Sequence, residues 1–168
     1  MTETRAAQVS RVIGANTYMV LATADESGTP WATPVYFRAR DDREFFWVSS
    51  PEARHSANIG VRPQVGIAIF DSTVVPGTAE AVYLTATAAE VTTPDALTDG
   101  AAVFNSGLAR SIPTEDMTGD GPFRLYRAVA TEHYVLLRGG DPENARGADD
   151  RLRVDMSRGP RDPGAGMR

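Results

Sequence analysis

Seven residues, Ser49-Ser50-Pro51-Glu52-Ala53-Arg54-His55, bring together two hydroxyls, a turn proline and two groups able to carry positive charge. A run of strand formers, residues 44–48, precedes them, and Asn58-Ile59-Gly60 closes the segment. The spacing predicts a strand, a turn and a short helix with cations in its first turns. The positive end of a helix dipole disfavours cations unless an anion is there to neutralise them. The residues alone leave that anion unnamed. His55 is expected to be partly charged at neutral pH. The plainer alternative is a solvated helix, with Ser49-Ser50 serving only as an N-cap before Pro51.

Composition narrows the chemistry. The chain has 168 residues, 42% hydrophobic and 23% charged, which suits one domain with one sizeable core. A net charge of -5 speaks against a nucleic-acid partner, which calls for a basic face. With no cysteine, disulfides and thiolate metal sites are excluded. All 17 basic residues are arginine, so no lysine can form a Schiff base with a carbonyl substrate or with pyridoxal phosphate. There is no GxGxxG, Walker loop, GxSxG elbow or HExxH. His55 and His133 are far apart, and His133, alternating with apolar residues in TEHYV, is expected to be structural. Asp41-Asp42 and Asp149-Asp150 read as turn and tail residues. No apolar run is long enough for a membrane span and no secretory leader stands out, so the expected location is cytoplasmic, with no membrane partner.

The elements that would position Arg54 follow from periodicity. Residues 3–15 carry Ala6, Val9, Val12 and Ile13 on one helical face. Strands are expected at 18–24, 31–40, 44–50, 63–72 and 82–92, with turns at DESGTP and DDR. Pro94 opens a second helix through residue 109, a polar loop follows, and residues 123–137 form a last strand or bent strand pair. The fold class is therefore mainly β (α+β), an antiparallel split β-barrel with flanking helices. The domain is expected over 1–138. Residues 139–168, rich in Gly, Pro, Arg and Asp, are expected to be a mostly disordered tail with one short strand at RLRVD.

Three ordered segments carry a family resemblance: the hairpin LATADESGTPWATPVYF, the aromatic strand ending in WVSS, and SPEARHSANIGVRPQVGIAI. Over residues 5–137 the chain resembles the pyridoxamine 5'-phosphate oxidase-like superfamily of FMN-binding split barrels. The resemblance implies an FMN flavoprotein working as a homodimer, with the flavin between the subunits and hydride transfer to an unidentified small-molecule substrate. It implies that the anion is the flavin phosphate, gripped by Arg54 and His55; a guanidinium fork can take two of its oxygens, and helix amides and serine hydroxyls others. Trp47, Val48, Ser49 and Ser50 would line the ribityl chain and ring, and Thr33, Pro34, Val35 and Tyr36 would run along the ring system. There are departures. His55 stands where relatives carry lysine, and Ala53 where they often carry serine. An apolar residue near Val82 replaces the oxidase's glutamine, and its tryptophan-arginine motif is absent. True pyridoxamine phosphate oxidase activity is therefore not expected. Two other readings stay open. One is a deazaflavin-dependent reductase of the same fold, with a basic groove from Arg38, Arg40, Arg54 and Arg62. The other is a non-catalytic flavin- or haem-binding module.

Overall fold

The structure, a computed structural model, describes residues 3–157. Helix α1 (Arg5–Ala15) begins where Thr4 caps the Ala7 amide at 3.2 Å, and it buries Val9, Val12 and Ile13. Strand β1 (Tyr18–Ala24) turns into β2 (Pro30–Tyr36) through a hairpin. Asp25 organises that turn. Its Oδ1 accepts from Ser27 N, Ser27 Oγ and Thr29 N at 2.7–3.0 Å, and Gly28 supplies the left-handed φ of 87° that the turn needs.

The single strand expected over 31–40 is two. At Phe37 the chain leaves β1 and becomes β3 (Arg38–Arg40), which pairs with β4 (Glu44–Ser49). Phe37 itself is buried, with its amide bonded to Thr17 O at 3.1 Å. The short helix α2 (Arg54–Val61) then packs on β1 and β2. Strands β5 (Gln64–Phe70) and β6 (Ala81–Glu90) follow, then α3 (Pro94–Asn105) and the long β7 (Arg124–Leu137). All pairings are antiparallel, in the order β2-β1-β5-β6-β7-β4-β3. The sheet curls into a split barrel. Among the described residues β2 pairs only with β1 and forms an edge of the sheet.

Two apolar clusters hold this arrangement. Leu21, Ile67, Leu84, Trp47 and Val135 fill the barrel with the apolar face of α1. Phe46 and Leu125, on the other side of the β4–β7 pair, meet Leu97, Ala101 and Phe104 of α3. Each such side chain contributes on the order of 1.5–3 kcal/mol when fully buried. Gly100 lets α3 approach, since a Cβ there would stand 2.9 Å from Phe46 and Leu125 side-chain carbons.

The C-terminal segment differs from the expected tail. Asn144 donates to the carbonyls of Leu137, Arg138 and Ala148, and Arg5 holds Asp141 at 2.8 Å. Strand β8 (Asp150–Val154) then pairs with β7 from His133 to Leu137. The short strand expected at RLRVD is thus present, and its docking rests on two residues: Val154 is buried in the barrel cluster and Leu152 packs against it. Residues 158–168 of the expected tail lie outside the described residues. Truncation after Gly140 should therefore lower unfolding stability by about 2–4 kcal/mol, the loss of one buried valine, part of a leucine and a strand pairing. Urea denaturation of the full and truncated chains measures it. Equal midpoints would show that β8 does not stabilise the barrel.

Candidate functional site

The chain enters α2 through a tight turn. Ala53 N donates to Ser50 O at 3.1 Å, and Ser50 Oγ accepts from Glu52 N at 3.2 Å. Ser50 O also accepts from Ser56 Oγ at 2.8 Å. Ala53 is the N-cap residue, and no side chain caps the helix. Its positive end is thus left for another acceptor.

Arg54 is exposed and leaves the helix toward the β1–β2 hairpin. Its guanidinium lies 4.5 Å from the centre of the Trp31 ring and 3.6 Å from Asp25 Oδ2. Asn58 and Arg62 continue the same helix face. Asn58, buried, donates to Thr23 Oγ1 at 2.9 Å, and Arg62 donates to the carbonyls of Asp25 and Glu26 at 3.3 and 3.2 Å. Thr23, Asp25 and Trp31 were not among the expected site residues. Their signal lay in the i, i+4, i+8 spacing of 54, 58 and 62, which puts three polar groups on one face of a helix that must dock against something.

His55 does not join Arg54. It is 7% exposed and points inward, with Nε2 2.8 Å from Ser49 Oγ. Burial pushes its pKa below the ordinary histidine value. The partial positive charge expected at neutral pH is therefore corrected: a ring withdrawn from water is held neutral. It orients Ser49 rather than supplying a cation.

The remaining expected residues divide by strand face. Trp47 is fully buried and stacks on Tyr126, with ring centres 5.6 Å apart and planes 15° apart. Val35 is also core. Both side chains face the barrel interior. Val48 packs against the α3 cluster. Pro34 is exposed on β2. Tyr36 stands edge-on to Phe104, at 5.4 Å, beneath the Arg38 guanidinium. Thr33 Oγ1, Tyr36 OH, Arg38 Nε and Trp47 Nε1 are buried polar atoms with no hydrogen-bond partner among the described residues. Such atoms are costly and call for a ligand, a water or an ion.

The groove expected from four arginines is not assembled. Arg40 is spent on Glu44 and Asp99, each at 2.6 Å, and Arg62 on hairpin carbonyls. Arg38 and Arg54 serve opposite ends of β2. His133 Nε2 is held by Asp42 O at 2.6 Å. Among the described residues no three His, Asp or Glu side chains gather as metal ligands, and no helix is long and apolar enough to cross a membrane.

A curled antiparallel sheet with a short helix docked on its first hairpin defines the split-barrel class. Residues 6–136 match the pyridoxamine 5'-phosphate oxidase family, and the chain belongs to it. Solved structures share the fold. A haem-binding protein from Mycobacterium smegmatis is 20% identical, with a TM-score of 0.67 over 91% of this chain and 60% of that one. This chain thus spans under two thirds of that protein. An FAD-binding protein from Mesorhizobium loti is 17% identical, with a TM-score of 0.62 over 79% and 94%. HutZ, the haem storage protein of Vibrio cholerae, is 21% identical, with a TM-score of 0.56 over 73% and 87%. No curated protein matches the chain.

The neutral, buried His55 has a stability consequence. A histidine whose folded pKa is depressed binds its proton more readily when unfolded, so stability falls as pH drops below about 6.5. The melting temperature should rise between pH 5 and 7.5, and His55→Gln should flatten part of that rise. Calorimetry across that range measures it. An unchanged slope in His55→Gln would mean that the ring is not held neutral.

Proposed function

We propose that the protein is an FMN-binding flavoprotein, an oxidoreductase acting on a small molecule as a homodimer, with residues 1–138 as the flavin-binding unit. One observation carries the reading. The free edge strand β2 holds two buried, unpartnered hydroxyls, Thr33 Oγ1 and Tyr36 OH, and Arg54 stands at its hairpin end beside the uncapped start of α2. From Trp31 to Tyr36 the strand spans about 17 Å. That length separates an anion site at one end from an aromatic site at the other, as a phosphate joined to a flat ring requires.

Arg54 and the first amides of α2 would hold the phosphate, with Ser49 presented by His55. Thr33, on the same face of β2 as Trp31, and the open backbone edge of the strand would hold the remainder, with Pro34 and Tyr36 on the opposite face beside it. A bound flavin supplies the hydride or electron transfer. The chain supplies orientation and charge, and no general acid or base is assigned. FMN suits the site better than a deazaflavin with a long anionic tail, because three of the four arginines such a tail would need are engaged or displaced. Haem fits less well, since both described histidines are buried and bonded through Nε2.

The homodimer reading rests on the outward face of β2, β1 and β5. There Tyr18 is 62% exposed and Phe70 43%, beside the small residues Ala22 and Ala32. A second copy covering that face would remove a continuous apolar patch from water. Ala22→Arg should convert dimer to monomer in light scattering. A wild-type chain that runs as a monomer near 18 kDa at micromolar concentration would end the dimer reading.

The cofactor is tested by flavin fluorescence titration. A charged contact of this kind contributes about 1.5–3 kcal/mol, so Arg54→Ala should weaken FMN about ten- to hundredfold. Riboflavin, which lacks the phosphate, should bind both forms alike. Equal FMN affinity in Arg54→Ala and wild type would remove the phosphate assignment. Reduction of the bound flavin by a nicotinamide donor, with turnover of an acceptor, would separate an oxidoreductase from a storage module.

A further inference from the structure

The phosphate assignment leaves one contact of Arg54 to be explained, because the guanidinium already faces an anion of its own chain. The two oxygens of Asp25 have different duties. Oδ1 is committed to the hairpin turn through Ser27 N, Ser27 Oγ and Thr29 N. Oδ2 lies 3.6 Å from Arg54 Nη2. The Ser27 hydroxyl, then the Thr29 amide, hold this carboxyl below the usual carboxylate range, so it is charged throughout neutral pH.

The pair is not what docks the hairpin. Both side chains are well exposed, at 46% and 34%, and the separation is long for an ion pair, so it adds little to stability. Docking is secured elsewhere on the same helix face. Asn58 bonds Thr23, and Arg62 bonds two backbone carbonyls, none of which needs the Asp25 charge. The guanidinium has a separate seat as well, the Trp31 face at 4.5 Å, a cation–π contact that does not involve the Asp25 carboxylate.

We propose that Asp25 is a built-in competitor for the anion site: it shares Arg54 with the ligand's phosphate, and so sets how strongly the site favours one phosphate charge state over another. Trp31 is the positioning residue that keeps the guanidinium in place while its counter-ion is exchanged. The proposal rests on the phosphate reading of Arg54. A phosphate reaching Arg54 enters the field of the Asp25 carboxylate. The repulsion is greater for the dianion than for the monoanion, and a phosphate monoester passes between the two near pH 6. The wild-type site therefore binds the dianion less tightly than its arginine alone would allow.

The test uses the full chain, with FMN and riboflavin as probes, between pH 5.5 and 8. Asp25→Asn keeps an oxygen acceptor for the turn and removes the charge facing Arg54; Asp25→Ser is a second neutral variant. Both should tighten FMN about three- to tenfold at pH 8 and less at pH 5.5, with riboflavin unchanged. Trp31→Leu should weaken FMN selectively, and Trp31→Phe should restore most of the loss. If Arg54→Ala weakens FMN while neither Asp25 variant tightens it, the competitor role is overturned and the phosphate site stands. If Arg54→Ala leaves FMN affinity unchanged, both fall. Equal changes for FMN and riboflavin would mark a purely structural effect and overturn the proposal.

Discussion

Strand β7 has more partners than any other strand, and the architecture depends on how its edges are shared. One edge is taken by β6 along most of its length. The other is divided: Arg124–Val129 pair with β4, and His133–Leu137 pair with β8. A register shift between Thr85 and Ala86, opposite this division, lets the strand bend between its two partners. Because β4 claims only half of that edge, the β3–β4 pair swings toward α3, and the chain must travel back across the barrel to reach β5. Helix α2 makes that return, which is why an eight-residue helix lies against the first hairpin.

That placement governs the electrostatics. Several arginines are neutralised at short range: Arg5 by Asp141, Arg11 by Glu3 and Glu80, Arg40 by Glu44 and Asp99. Arg54 differs, with a long contact to a carboxylate whose other oxygen is committed elsewhere. An acidic protein can thus present a local positive centre without a basic surface, because the relevant quantity is the uncompensated charge at one helix end.

Much of this was legible in the chain. Period-two alternation located the strands, and the Pro-Glu-Ala-Arg-His segment located α2. Alternation does not say which side of a strand faces the barrel when both sides are covered. Phe45 and Trp47 look inward while Phe46 and Val48 look toward α3, so Trp47 read as a lining residue although it is core. His55 was misjudged for a similar reason. A charge estimate assumes water, and the ring's burial depends on Ser49 and the barrel wall, contacts fixed only once the sheet closes. The break at Phe37 and the choice of β7 as the partner of the expected RLRVD strand likewise come from non-local pairing, which overrides local composition.

The free edge of β2 carries a further consequence. Pro30 and Pro34 lie on it in alternating register with Ala32 and Tyr36. A proline in a strand must turn its nitrogen away from the paired neighbour, so this register directs residues 30, 32, 34 and 36 outward, and two of those four positions offer no amide hydrogen. An edge depleted of donors cannot template another strand. The longest unpaired stretch of backbone beside the candidate site is thereby protected against edge-to-edge aggregation and strand exchange, while its carbonyls stay open to a small molecule that brings its own donors.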